Sequence, residues 1–251
     1  MGKSSSRTYR VQIRTRNIAD TYLKKSNRTM EERNYNRRYA KEYGWGRSLF
    51  YILFRNIVVG IVSKLQYNIK INGRENLEKG KKYLYTANHT SYLDPPFVAL
   101  AAREKIAYMA KQELFTDKNA LLRFLVINLG AFAVNREKPE VATVKTVFDL
   151  MKTNWSLGIF PEGQIRKTGV LENLTKGFIA IAKKTKLDIV PVGIKGFDGY
   201  AGKTLFQKHI TVTIGKPISY ELPEDEILTE WAKQICEYTG YENKVTVNAE
   251  K

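Results

Sequence analysis

His89 and Asp94 stand five positions apart in a chain of 251 residues that contains only two histidines. A histidine is the usual general base near neutral pH, and it works best when a carboxylate accepts a hydrogen bond from its second ring nitrogen. Residues five apart point to different faces of a continuous helix, so these side chains can meet only if the segment between them turns. Pro95 favours a turn because it disfavours helical geometry at Asp94. The pattern therefore predicts a general base and the carboxylate that orients it.

The same residues also fit an ordinary helix start. Asp94 followed by Pro95 is typical of an N-cap with proline in the first helical position, and a histidine near a strand end is often purely structural. The apolar run 83–87 predicts a buried strand before His89, and residues 97–102 predict the first turns of a helix. His89 is then expected at a strand-to-helix junction, which is where α/β folds usually build their sites.

Two further stretches carry groups that could hold an anion. Residues 158–169 run from an apolar strand end through Pro161, Glu162 and Gly163 into a basic loop that contains Arg166. A glycine lets the backbone approach a ligand closely, and neighbouring cations can hold a phosphate. Residues 130–136 predict a strand that ends at Arg136. The structural alternative for the basic loop is a solvated turn with scattered charge.

These stretches, taken with one more, resemble the four sequence motifs of the glycerolipid acyltransferases in the family's own order. The resembling segments are Asn88–Asp94 (a His-x4-Asp motif), Gly130–Arg136, Phe160–Gly163 and Val190–Ile194. Segment 71–77 also resembles its counterpart in the bacterial 1-acylglycerol-3-phosphate acyltransferases. In all, the resemblance covers roughly residues 67 to 220. The family often continues its third motif with Thr-Arg-Ser, whereas this chain has Gln164-Ile165-Arg166, with the arginine one position later.

The resemblance implies transfer of a fatty acyl group from a thioester of coenzyme A or acyl carrier protein to the free hydroxyl of a lysophosphatidic acid, giving phosphatidic acid. Another lysophospholipid or glycerol 3-phosphate is the alternative acceptor. Direct attack by the acceptor hydroxyl on the thioester needs no serine or cysteine nucleophile. His89 is then the expected base and Asp94 its orienting partner.

The remaining expected roles concern charge. Lys111, Arg136 and Arg166 are expected to hold the substrate phosphate, although a lysine at a strand end is also a common surface residue in so basic a chain. Glu162 is expected to shape the acceptor pocket, and backbone N–H groups around Gly163 to stabilise the oxyanion.

Composition argues against several other kinds of site. A single cysteine, Cys236, excludes an internal disulfide, and one cysteine with two histidines argues against a zinc site. Neither a Gly-x4-Gly-Lys nor a Gly-x-Gly-x-x-Gly pattern occurs, so nothing indicates a nucleotide-binding loop. We therefore expect no metal and no resident cofactor, with the acyl thioester serving as co-substrate.

The net charge of +17 calls for an anionic partner, and the charge is concentrated near the N-terminus. Residues 1–42 carry twelve Lys or Arg and only four Asp or Glu. An anionic membrane surface and nucleic acid are the two candidate partners. Aromatic residues among the arginines would suit stacking on bases, so a nucleic-acid-binding protein is the alternative from another functional class.

The most apolar part of the chain follows this basic region. Residues 48–62 form an apolar run of 15 residues with Arg55 in the middle, short of the roughly 20 that a spanning helix needs. A helix inserted shallowly into a membrane and a core helix packed on the sheet both fit the run. The resemblance favours the membrane, because the bacterial acyltransferases carry N-terminal apolar helices that seat them on one leaflet, and a nucleic-acid binder needs no such segment. We expect a peripheral or monotopic protein on the cytoplasmic face of the cell membrane.

From residue 67 onward, alternating strands and helices predict an α/β fold with a mixed, largely parallel sheet flanked by helices. Among the helices, residues 141–154 place apolar side chains on one face, namely Val141, Val144, Val147, Phe148 and Met151. The predicted organisation is a basic arm over residues 1–44, an apolar, membrane-associating helical segment over 45–66, and a catalytic domain over 67–251.

Overall fold

A seven-stranded mixed sheet forms the centre of the fold. The computed structural model describes residues 35–65, 67–134, 141–196 and 208–246. The strands are β1 (Tyr67–Asn72), β2 (Leu84–Ala87), β3 (Ile106–Lys111), β4 (Phe132–Val134), β5 (Ser156–Ile159), β7 (Ile189–Lys195) and β8 (Lys208–Ile214). Their spatial order is β1-β8-β7-β2-β5-β3-β4, and neighbours are parallel except for the antiparallel pair β7–β8. Strands β6 (Val170–Leu171) and β9 (Glu242–Asn243) form a separate parallel pair.

Helices flank this sheet, which confirms the predicted fold class. They are α1 (Trp45–Leu65), α2 (Asp94–Ala102), α3 (Ala120–Asn128), α4 (Val141–Met151), α5 (Gly177–Thr185) and α6 (Glu224–Thr239). Short 3-10 turns precede α1 and follow β1 and β3, at Ala40–Tyr43, Arg74–Asn76 and Gln112–Phe115.

The central strands are buried along their length because helices cover them. Every residue of β2 and β5 is buried, and in β7 only the last residue is exposed. Near-continuous apolar runs are typical of parallel strands covered on both faces. Thr86 of β2, which with Ser156 of β5 is polar and buried, accepts a hydrogen bond from the indole N–H of Trp231 in α6 at 2.7 Å. This bond fixes α6 over the strand that leads into His89.

Helix α1 packs one face against the sheet and exposes the other. Tyr51 Oη accepts a hydrogen bond from the N–H of Ile106 at 3.1 Å, which ties the helix to the start of β3. The buried positions recur every four residues, at Tyr51, Arg55, Val59 and Ser63. The exposed face is apolar with the same spacing, at Trp45, Leu49, Leu53, Ile57, Ile61 and Leu65. We call these six residues the apolar stripe.

The structure changes the reading of the apolar segment in two respects. Helix α1 has 21 residues, so by length and composition alone it is sufficient to cross a membrane, as are some core helices of soluble proteins. Arg55, which counted against a span, lies on the buried face, where its Nη1 donates to the carbonyl of Glu104 at 3.1 Å. The charge is therefore absent from the apolar stripe.

Residues 1–34, which make up most of the predicted basic arm, lie outside the described residues. Two cations at the end of that arm are part of the fold. Arg38 is buried, and its Nη2 donates to the carbonyl of Ile127 at 3.0 Å. Arg37 forms an ion pair with Asp149 of α4 at 2.5 Å. These two side chains therefore hold α4 and the end of α3 rather than forming a free basic surface.

Helix α4 buries a different face from the apolar one that the sequence indicates. Its buried residues are Thr143, Thr146, Val147 and Leu150. Val141, Val144 and Phe148 are exposed instead. The physical reason is a polar contact: Thr146 Oγ1 donates to the carbonyl of Asn36 at 2.5 Å and accepts from the N–H of Arg38 at 2.9 Å. The segment at 36–38 therefore packs where a purely apolar face was expected.

Candidate active site

The turn between β2 and α2 brings His89 and Asp94 together. The distance from His89 Nδ1 to Asp94 Oδ2 is 2.8 Å, which is a hydrogen bond. The Asp94 side chain is fully buried, whereas the His89 side chain keeps 16% of its surface exposed. The imidazole therefore has one nitrogen held from the protein side, and its other nitrogen is available to a ligand.

Backbone hydrogen bonds to Asp94 shape this turn. Its Oδ2 accepts from the N–H of Thr90 at 2.6 Å and from the N–H of Ser91 at 2.7 Å. Burial raises the pKa of Asp94, while the hydrogen bonds from His89 and these two N–H groups act in the opposite direction. Asp94 is also the first residue of α2, with two prolines directly after it. The N-cap interpretation is wrong in detail, because Leu93 occupies the N-cap position and the Asp94 carboxylate accepts from residues before the helix rather than capping it.

The third motif meets His89 at the same edge of the sheet, because β5 lies parallel to β2. Glu162 Oε1 accepts a hydrogen bond from the backbone N–H of His89 at 2.8 Å, and the N–H of Arg166 donates to the carbonyl of His89 at 2.7 Å. The ring of Phe160 stacks on the imidazole, with centroids 4.1 Å apart. Both backbone polar groups and one ring face of His89 are thus fixed by the segment after β5.

Asn88 is a further positioning residue for which sequence reasoning assigned no role. Its side chain is fully buried between β2 and β7. Nδ2 donates to the carbonyl of Ile194 at 2.8 Å, and Oδ1 accepts from the N–H of Ile194 at 2.7 Å. The signal was an amide at the end of a buried apolar strand, because such a group needs hydrogen-bond partners. This pair of bonds locks the residue directly before His89.

A large apolar cavity of about 890 Å³ opens at His89. Residues from α1, α3, α4 and the loop after β5 line it, among them Val59, Leu125, Val144, Phe148 and Phe160. Of the exposed apolar residues of α4, Val144 and Phe148 therefore line this cavity instead of the core, whereas Val141 does not. A cavity of this size and character is suited to a hydrocarbon chain.

The three cations predicted to hold a phosphate have different surroundings. Lys111 is exposed at the end of β3 and lines the cavity, and its ammonium group makes no hydrogen bond or ion pair with any described residue. Arg136 lies outside the described residues. Arg166 pairs through Nη1 with Glu172 at 3.1 Å, and its side chain does not line the cavity. No group of three or more His, Cys, Asp or Glu in the described ranges could hold a metal ion.

Gly163 has a positive φ of 71°, and its own N–H group already forms a hydrogen bond within the protein. That N–H donates to the carbonyl of Phe160 at 2.9 Å, so it is not available to an oxyanion, contrary to the simplest form of the prediction. The next two N–H groups, of Gln164 and Ile165, form no hydrogen bond with the described residues, and both residues line the cavity. Any backbone oxyanion donors of this loop therefore follow the glycine.

Comparison with known proteins agrees with this geometry. The sequence model of the acyltransferase family matches residues 68–195. The 1-acyl-sn-glycerol-3-phosphate acyltransferase of Bacillus subtilis is 30% identical over 160 residues, which cover 63% of this chain and 77% of the relative. The enzyme of that name from Streptococcus pneumoniae is 28% identical over 176 residues. The matched region covers 69% of this chain and 64% of the Streptococcus protein, which is less than two thirds of that protein's length.

The fold also matches a solved structure. The crystal structure of the 1-acyl-sn-glycerophosphate (LPA) acyltransferase PlsC from Thermotoga maritima superposes with a TM-score of 0.60 at 22% identity, covering 75% of this chain and 77% of that one. At this identity the likeness concerns the fold. Together with the family match over residues 68–195, it leads to one conclusion: the chain belongs to the acyltransferase family.

Proposed function

We propose that the protein transfers a fatty acyl group from acyl-CoA or acyl carrier protein to the sn-2 hydroxyl of 1-acyl-sn-glycerol 3-phosphate, giving phosphatidic acid. The observation that carries the proposal is the His89–Asp94 pair, 2.8 Å apart, at the wall of a large apolar cavity. The cavity offers space for an acyl chain beside a general base. The relatives from Bacillus and Streptococcus bear the name of this reaction. The thioester acts as co-substrate, and no resident cofactor takes part.

His89 acts as the general base. Asp94 accepts a hydrogen bond from the Nδ1–H group, which leaves Nε2 unprotonated and free to take the proton of the acceptor hydroxyl. The hydroxyl oxygen attacks the thioester carbonyl, so that a C–O bond forms and, on collapse, the C–S bond breaks. The proton held by His89 then passes to the departing thiolate. Asp94 stabilises the imidazolium between the two proton transfers.

The charged groups of acceptor and transition state need their own partners. Lys111, exposed at the cavity wall, and Arg136 are proposed to hold the acceptor phosphate. Arg166 contributes to phosphate binding only if its guanidinium exchanges Glu172 for the substrate. The N–H groups of Gln164 and Ile165 are proposed as oxyanion donors next to Gly163. Glu162 supports the acceptor side of the site by fixing His89.

The protein is further proposed to lie on the cytoplasmic face of the membrane as a peripheral or monotopic protein. Support comes from the apolar stripe of α1, whose six members are exposed. Leu121 and Phe124 of α3 add exposed apolar surface, and Phe50 of α1 packs on Phe124 with ring centroids 5.9 Å apart. Exposed apolar side chains at helical spacing suit insertion between lipid headgroups.

The test is acyl transfer by purified protein in mixed micelles, with His89→Ala and the matched control His209→Ala. His209 is the only other histidine and does not line the cavity. We expect transfer to lysophosphatidic acid, a loss of at least about 100-fold in His89→Ala, and activity close to wild type in the control. Acyl-CoA and acyl carrier protein are compared as donors, and glycerol 3-phosphate and other lysophospholipids as acceptors.

Full activity in His89→Ala, with circular dichroism unchanged, would exclude His89 as the base. Faster transfer to glycerol 3-phosphate than to lysophosphatidic acid would identify glycerol 3-phosphate as the acceptor, and the reaction would still be acyl transfer. Absence of transfer from both donors to all acceptors would overturn the proposed function.

A further inference from the structure

A second cleft, of about 770 Å³, lies between α1, β1 and the C-terminal end of α2. Four cationic side chains line it: Arg55, Lys64, Arg74 and Arg103. No carboxylate side chain is among its lining residues, and none of the four cations forms an ion pair within the described ranges. We call these four residues the cationic cluster. His89 and Asp94 do not line this cleft, and of the four cations only Arg55 also lines the cavity at His89.

The hydrogen bonds of the cluster hold the guanidinium groups in place without neutralising them. Arg74 donates from Nε to the carbonyl of Ala101 at 2.8 Å, and Arg55 donates from Nη1 to the carbonyl of Glu104 at 3.1 Å. Carbonyl oxygens carry no net charge, and each guanidinium has further N–H groups to offer. Burial, and then the positive charges of Arg103 and Arg55, lower the pKa of Arg74. Arg74 is therefore surrounded by like charge, whereas the carboxylate of Glu104 offsets part of the positive charge of Arg55.

The backbone around the cleft is unusual at two of these positions. Arg103 follows the last turn of α2 with a φ of 58°, a left-handed conformation that favours glycine. Asn173 and Lys186 share this left-handed conformation, but of the three residues only Arg103 lines the cleft. Residues Phe54–Val59, which include Arg55, are π-helical within α1, and such irregularities occur frequently at functional sites. The cations at both irregular positions, Arg55 and Arg103, line the same cleft.

We propose that the cationic cluster binds the phosphate group of an anionic lipid. Arginine forks suit phosphate oxygens, and three guanidinium groups with a lysine supply several donors. Free inorganic phosphate has the same chemistry, but a lipid accounts for the surroundings better. Helix α1 forms one wall of the cleft, and its apolar stripe continues past Ile61 to Leu65, next to Lys64. A headgroup in the cleft would leave its acyl chains beside this exposed apolar face.

The experiment compares wild type with Lys64→Gln/Arg103→Gln and with the charge-matched control Lys216→Gln/Lys233→Gln, whose lysines are exposed and do not line the cleft. The probes are soluble dihexanoyl phosphatidylglycerol, dihexanoyl phosphatidylcholine and inorganic phosphate, titrated calorimetrically at constant ionic strength. Phosphatidylglycerol is neither substrate nor product of the proposed reaction, so its binding reports on the cleft.

We expect wild type to bind phosphatidylglycerol more tightly than phosphatidylcholine or phosphate. The cleft variant should bind it about 10-fold more weakly or worse, and the control within about twofold of wild type. Acyl transfer in neutral micelles should be unchanged in the cleft variant, since Lys64 and Arg103 do not line the catalytic cavity. Failure of the lipid-binding test therefore leaves the proposed acyl transfer intact, and failure of the acyl-transfer test leaves the proposed lipid binding intact.

A second variant keeps folding apart from binding. Arg103→Gly places the residue type that the left-handed conformation favours, so it should fold with a melting temperature no lower than wild type while losing lipid affinity. Equal phosphatidylglycerol affinity in wild type, cleft variant and control would overturn the proposal. If inorganic phosphate binds as tightly as phosphatidylglycerol, the ligand is not specifically a lipid. If neither binds, the cleft is not a phosphate-binding site.

Discussion

Glu162 holds the backbone of His89: its Oε1 accepts the N–H of His89 at 2.8 Å, although the two residues are 73 positions apart. Glu162 is buried and lies directly after β5, the parallel neighbour of β2. The carboxylate of the third motif therefore fixes the position of the histidine in the first motif. Glu162 does not line the cavity at His89, so we expect it to place the base rather than to contact the acceptor.

Replacing Glu162 with alanine should lower acyl transfer by about 100-fold, because small displacements of a catalytic group have effects of that size. The alanine variant removes the acceptor of the His89 N–H group, which is then buried without that hydrogen bond. The loss should lower the free energy of unfolding by about 1–3 kcal/mol. Glu162→Gln keeps an oxygen acceptor and should fall between alanine and wild type in both properties. Kinetics and urea denaturation measure the two effects, and equal losses in both variants would point to the negative charge instead of the hydrogen bond.

The contact between His89 and Asp94 could be predicted because it is local. Both residues belong to one turn, and the proline after Asp94 restricts its backbone. The partner of Glu162 could not be predicted in the same way. Apolar runs indicate that β2 and β5 exist, but the order in which strands lie in the sheet depends on packing over the whole chain.

Helix α4 and the cationic cluster show the same limit. Periodicity identifies the apolar side chains of α4, but it cannot say whether that face meets the core or a cavity. Thr146 is buried because the backbone at residues 36 and 38 provides its hydrogen-bond partners. The cations from Arg55 to Arg103 are spread over 49 residues without a recognisable spacing, so only the folded chain brings them together.

The acyl chain is expected to lie in the cavity between α1, α3 and α4. Leu125→Trp enlarges a side chain of α3 that lines the cavity, in a helix with no fully buried residue, so the fold should tolerate it. Overfilling an apolar site costs about 1–3 kcal/mol, which corresponds to a loss of about 5- to 150-fold in kcat/KM for a long-chain donor. A short-chain donor should lose much less activity.

Leu121→Trp is the matched control for this substitution. Leu121 lies one turn earlier on α3, is exposed, and does not line the cavity. Its variant should keep the chain-length profile of wild type. Equal losses for long and short donors in Leu125→Trp, measured across a series of acyl-CoA lengths, would place the acyl chain elsewhere.

The apolar stripe of α1 is expected to bind the protein to membranes by insertion. Wild type should therefore sediment with membranes and be released by detergent, with high salt alone leaving it bound. Substituting Leu53, Ile57 and Ile61 with glutamine changes no charge and removes three exposed apolar side chains. The triple variant should become extractable by salt while its circular dichroism spectrum stays unchanged. Release of wild type by salt alone would instead indicate a purely electrostatic attachment, to lipid or to nucleic acid.

Asp149 makes the stability of the protein depend on pH through its ion pairs. It accepts from Lys152 Nζ at 2.9 Å and from Arg37 Nη2 at 2.5 Å, and these hydrogen bonds hold its pKa below the usual range. A carboxyl whose pKa is depressed by folding stabilises the protein above its unfolded-state pKa of about 3.9, and that contribution is lost as the pH falls through the folded-state value. Asp149→Asn should therefore be less stable than wild type at pH 7, by about 0.5–1 kcal/mol.

The difference between Asp149→Asn and wild type should shrink below about pH 4 and disappear in more acidic buffer, since both side chains are then neutral. Urea denaturation at a series of pH values measures it. Arg37→Gln serves as the control background: with that partner removed, Asp149→Asn should cost less, because the ion pair that ties residue 37 to α4 is already absent. A stability difference that stays constant from pH 7 to the acid limit would assign the loss to packing of α4 rather than to charge.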